Sequence, residues 1–108
     1  MAKKEASLTS FAGRLLTENE LVVFMELMQY TKPVLVIDIY DGLLKKIHDN
    51  QIVLILDTLT RGPEPLVKRV VKRRLYMKQE ILVEYWELST FAKKFIDVND
   101  QSVSTSHN

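Results

Sequence analysis

Lys68, Arg69, Lys72 and Arg73 recur at three-and-four spacing, with Tyr76 just beyond them. Cations spaced in this way suit a phosphate backbone, and a tyrosine beside them can stack or hydrogen-bond. Residues 61–78 hold seven cations against Glu64 alone, a net of +6 in a chain whose formal net charge is +1, so the remainder sums to −5. Glu80, Glu84 and Glu87 follow the cations. A helix dipole favours the reverse order by roughly 0.3–1 kcal/mol per terminal charge, so helix stability does not account for the arrangement. Winding the stretch as a helix places Lys68, Arg69, Lys72, Arg73 and Tyr76 on the polar side, the candidate nucleic-acid-binding set. Arg74 and Lys78 fall in the apolar stripe, and Trp86 falls on the Lys68 and Lys72 side. Cations in an apolar stripe need a carboxylate or a partner surface. Arg74, Lys78 and Trp86 are therefore the candidate interface.

Other constellations carry less. The segment VIDIYDGLL partly resembles the aspartate motif of haloacid-dehalogenase-like phosphatases. Asp38 and Asp41 have the wrong separation for it, Leu43 stands in place of the threonine, and the chain is short for that fold. The plainer expectation is that Asp38 or Asp41 neutralises Arg74 or Lys78. His48 and His107 lack an i, i+4 partner for a metal. Gly13, Gly42 and Gly62 form no phosphate-cradling loop, and no serine lies in a nucleophile-elbow context. The absence of cysteine removes disulfides, thiolate ligands and cysteine catalysis. No acid, base and nucleophile assemble, so the expectation is a non-enzymatic protein without metal or cofactor.

The elements expected to position the basic run are helices. In Glu64–Asp97, Val67, Val70, Val71, Leu75, Ile81, Leu82, Tyr85, Leu88, Ala92, Phe95 and Ile96 fit one helix face. Gly62, Pro63 and Pro65 mark its start. Ser89 and Thr90 either lie within it or allow a short second helix at Thr90–Asp97. Upstream, Ser7–Leu16 reads as a short helix. Thr17 and Glu20 fit a capping box for a helix to Tyr30 or Thr31, with Leu21, Phe24, Met25 and Met28 buried. Residues 33–48 mix strand composition with helical spacing and are assigned to a helix starting near Pro33. Ile52, Ile55, Leu56 and Leu59 follow the cap-type pair Asp49 and Asn50, in a helix apolar nearly all round and hence central.

Together these predict an all-α fold. It is a small bundle of about four to five helices with a long C-terminal helix that is basic and then acidic. The alternatives are an α+β winged-helix-like arrangement, in which EILVEYW becomes a strand, and a small α/β unit. The 108 residues read as one domain over residues 7–97, with a flexible N-terminus at 1–6 and a disordered tail at 98–108. No run of about 18 apolar residues spans a bilayer, and no signal-peptide core is evident, which points to a cytoplasmic protein. The functional expectation is a small regulatory protein that binds DNA or RNA through the basic helix, as a homodimer. The alternative is a protein–protein adaptor or inhibitor acting through helix packing.

Overall fold

The computed structural model describes residues 8–97. In chain order the elements are β1 (Leu8–Phe11), β2 (Arg14–Thr17), α1 (Glu18–Leu27), α2 (Val36–Gly42), α3 (Asp49–Leu59), β3 (Val67–Tyr76), β4 (Gln79–Leu88) and a last helix, α4, over residues 90–97. The all-α helical bundle is thus incorrect. The described residues form an α+β domain of four helices and two antiparallel two-stranded sheets. The terminal segments 1–6 and 98–108 lie outside the described residues.

The long basic helix is the largest correction. Residues 67–88 form a hairpin, paired from Val67↔Leu88 to Tyr76↔Gln79. Val70, Val71, Ile81, Val83, Tyr85 and Trp86 are β-branched or aromatic residues, which suit a pleated surface. The turn is made by Met77 (φ 50°) and Lys78 (φ 66°), both left-handed. Two-residue hairpin turns of this hand ordinarily use Asn-Gly or Asp-Gly, so Met-Lys gave no turn signal. After β4, the Ser89 hydroxyl accepts the Ala92 N–H at 3.0 Å and so caps α4.

Upstream, the expected helix over residues 7–16 is instead the β1–β2 hairpin, which turns through left-handed Ala12 and Gly13. The capping box at Thr17 forms: the Glu20 N–H donates to the Thr17 hydroxyl at 3.2 Å, and the Thr17 N–H to the Glu20 carboxylate at 2.9 Å. The helix ends at Leu27, before the predicted Tyr30. It buries Val23, Phe24 and Leu27 and leaves Met25 and Met28 exposed. In residues 33–48 only Val36–Gly42 is helical. Val34 forms an isolated bridge to Trp86, which extends the base of the second sheet. The α3 span matches its sequence expectation, but its burial is one-sided. Ile52, Ile55, Leu56 and Leu59 are buried, whereas Val53 and Leu54 face outward.

The core forms where α1, α2 and α3 meet the base of the hairpin. Phe24, Leu27, Ile39, Ile52, Leu56, Leu59, Leu66, Val67 and Trp86 are all buried there. Each fully buried large apolar side chain contributes on the order of 1.5–3 kcal/mol. The Phe11 ring lies 4.8 Å from Phe24 and 4.9 Å from Phe95, which ties β1 and α4 to α1. Arg14 donates to the carbonyls of Thr58 (2.8 Å) and Arg61 (2.9 Å), satisfying the C-terminal end of α3. Of the alternatives only the α+β class stands: EILVEYW is part of β4, but the cations lie in the hairpin and no basic reading helix precedes it. No helix among the described residues is long and apolar enough to cross a membrane.

Candidate nucleic-acid interface

Ten residues per strand at about 3.3 Å each make the β3–β4 hairpin roughly 33 Å long. Side chains alternate between its faces, and residues directly opposite share a face. One face carries Lys68, Val70, Lys72, Arg74 and Tyr76 from β3, opposite Glu87, Tyr85, Val83, Ile81 and Gln79. The other carries Val67, Arg69, Val71, Arg73 and Leu75, opposite Leu88, Trp86, Glu84, Leu82 and Glu80. The first is the basic face. The second begins in the core, where Val67 and Trp86 are buried, and runs outward into solvent.

Tyr85 organises the basic face. The Lys72 ammonium lies 5.4 Å from its ring centroid and the Arg74 guanidinium 5.5 Å. Arg74 Nε donates to the Tyr85 hydroxyl at 3.0 Å. Exposed cation–π contacts contribute only about 0.5–1 kcal/mol each, enough to orient the cations without neutralising them. Glu87 is the one carboxylate among the residues of this face, and it lies 3.6 Å from Lys93 of α4. Lys68, Lys72, Arg74 and Tyr76 are all exposed.

The helical winding therefore grouped the site residues incorrectly. Of the candidate nucleic-acid set, Lys68, Lys72 and Tyr76 share the basic face, while Arg69 and Arg73 lie on the opposite one. Arg69 there pairs with Glu84 at 3.1 Å. The candidate interface set is dispersed. Arg74 joins the basic face, Lys78 sits in the turn, and Trp86 is buried in the core beside Val34. Asp38 does not neutralise Arg74: its carboxylate accepts the Leu35 N–H at 3.0 Å and closes the cap of α2. Tyr85 was missed. Only a period-two reading places it among the cations, because it is eleven residues from Arg74 and reaches it across the sheet.

The third helix is poorly suited to phosphates. Its outward face presents Asp49, Asn50, Gln51, Leu54 and Thr58, and its neighbouring cation Arg61 pairs with Asp57. His48 caps this helix: Nδ1 accepts the Asn50 N–H at 3.2 Å, which requires that nitrogen to be unprotonated. The Asp49 carboxylate lies 3.0 Å from the same nitrogen. His107 lies outside the described residues. Among the described residues, no three His, Asp or Glu side chains converge as metal ligands.

No known protein family, curated protein or solved structure matches this chain.

The functional reading thus rests on the geometry of the hairpin. A second titratable cluster lies away from it, between α1 and α2. The Tyr30 hydroxyl donates to Glu26 at 2.8 Å and lies 3.1 Å from the Asp38 carbonyl oxygen. Burial, reinforced by the bond to Glu26, pushes the phenol up to about 12. These contacts join the end of α1 to α2.

Proposed function

We propose that this chain is a small, non-enzymatic regulatory protein that binds duplex nucleic acid through the basic face of its β3–β4 hairpin. The observation that carries the reading is the solvent-facing strip of Lys68, Lys72 and Arg74, interleaved with Tyr76 and Tyr85 on one side of a two-stranded ribbon. The B-form major groove, about 12 Å wide, admits such a ribbon, and β-ribbon readers use strands in this way. The deep, narrow major groove of A-form RNA does not, which favours DNA over RNA. The cations supply the phosphate contacts, and Tyr76 and Gln79 at the outer end supply groups for base edges. Such a protein acts in the cytoplasm, where nucleic acid is accessible. The adaptor reading through helix packing has less support, because Trp86, its aromatic anchor, is buried.

The test is a salt series with duplex DNA and duplex RNA for the parent and for Lys68→Ala combined with Lys72→Ala. Removing two phosphate contacts should reduce the slope of log affinity against log salt by about two units and weaken binding across sequences. An unchanged affinity and slope would sink the reading.

A further inference from the structure

The basic face does not stop at the end of the ribbon. Lys68, its first cation, lies opposite Glu87, and the Glu87 carboxylate reaches the Lys93 ammonium of α4 at 3.6 Å. Lys93 therefore extends the line of Arg74, Lys72 and Lys68 past the hairpin onto the body. Lys32 lines one small cleft with Glu87 and Lys93. A single carboxylate thus stands among three lysines. Its side chain is 21% exposed, against 54% for Lys93. Among the described residues, neither Lys32 nor Lys68 has an ion-pair partner. Positive charge is in excess at the base of the ribbon as well as along it.

The fold fixes where Lys93 stands. Ser89, between β4 and α4, donates its N–H to the Leu66 carbonyl at 3.0 Å and its hydroxyl to the Pro65 carbonyl at 2.6 Å. The Lys93 N–H donates in turn to the Ser89 carbonyl at 3.0 Å. The first turn of α4 is tied in this way to the chain that enters β3, so the Lys93 backbone is held against the ribbon. On the other side, Glu26, Asp38 and Asp41 act on the Tyr30 hydroxyl between α1 and α2. A polyanion is repelled from those helices and keeps to α4.

A duplex can meet a basic ribbon at its tip alone, or lie flat along its face and reach the body. Resting on the nucleic-acid reading above, we infer that the duplex lies flat, and that Lys93 is a phosphate ligand at the ribbon's base, exchanging the Glu87 carboxylate for a phosphate on binding. Docking by the tip alone gives the cations at the base no partner. The exchange is feasible because an exposed ion pair is weak and screened, whereas each phosphate contact also releases condensed counterions. Glu87 holds Lys93 on the basic face in the free protein and competes for it in the complex.

The experiment is a salt titration of generic duplex DNA with the full chain and its variants. Lys93→Ala should lower the slope of log affinity against log salt by about one unit, the loss of one phosphate contact. Lys93→Arg should keep the parent slope. Glu87→Gln removes the competing carboxylate and should raise affinity at least about threefold at low salt. Lys93→Ala in the Glu87→Gln background separates a lost phosphate contact from the baring of Glu87, and the slope should again fall by about one unit. Lys93 is exposed, so the melting curve of Lys93→Ala should stay close to the parent's. A parent slope in Lys93→Ala, or an effect that vanishes in the Glu87→Gln background, overturns the inference. The nucleic-acid reading survives that result if Lys68→Ala with Lys72→Ala still lowers the slope. A parent that binds no duplex overturns that reading and this inference with it.

Discussion

Arg74 donates across the sheet to the Tyr85 hydroxyl and is exposed, so its removal should leave no buried charge unpaired. Arg74→Ala is accordingly expected to cost no more than about 1 kcal/mol of stability. Had the residue been paired with a buried carboxylate, the loss would be on the order of 3–5 kcal/mol. The same substitution should lower the DNA salt slope by about one unit. Thermal melting and a salt titration separate these effects. Trp86 is the contrasting residue. It is 2% exposed at the base of the hairpin, with Val34 paired to its backbone, and its Nε1 has no hydrogen-bond partner among the described residues. Trp86→Ala should cost about 3–5 kcal/mol as a cavity substitution. Trp86→Phe should cost much less, because no hydrogen bond of the indole is lost. Chemical denaturation of the two variants measures the difference, and equal losses would show that aromatic bulk alone does not fill the site and that the indole itself is required.

At the scale of elements, the hairpin turn is held in an unfavourable conformation. Left-handed backbone costs a non-glycine residue roughly 1–2 kcal/mol, and Met77 and Lys78 both adopt it. Met77→Asn with Lys78→Gly should therefore raise the melting temperature, at the expense of one cation at the tip. A lower melting temperature would mean that Met77 is packed and not strained. The α1–α2 junction gives a pH prediction. The phenol of Tyr30 titrates near 10 in an unfolded chain and at about 12 here, because burial and the bond to Glu26 favour the protonated form. Its contribution to stability is complete below pH 10 and is lost as pH rises from about 10 to 12. Melting temperature should fall across that window in the parent, and Tyr30→Phe should flatten this part of the profile. An identical decline in both would place its origin elsewhere.

At the scale of the whole molecule, stability rests on the core beneath the hairpin base. Leu56 is fully buried at the centre of α3. Leu56→Asp should unfold the domain, because an unpaired buried charge costs several kcal/mol against a total of about 5–15; circular dichroism is sufficient to test this. Local chemistry made several features legible in the sequence. The Thr17–Glu20 capping box, the span and buried stripe of α3, the Asp57–Arg61 pair and the end of that helix before Gly62 depend on residues within a turn or two of one another. The basic cluster was equally evident as composition. The element carrying it was not, because Val67, Val71 and Leu75 are spaced by four, which keeps a helical stripe within about 80° and a strand on one face alike. Met-Lys at the turn removed the signal that would have separated the two periods. What decided between them was non-local: β3 pairs with β4 only in register, and Trp86 closes over the helical core while Val34, some fifty residues earlier, bridges to its backbone. Period two then sorted the same cations onto opposite faces, which no helical winding could have done. Residue chemistry fixed that this chain carries a concentrated positive charge; only tertiary pairing decided which cations act together, and left an apolar face behind them.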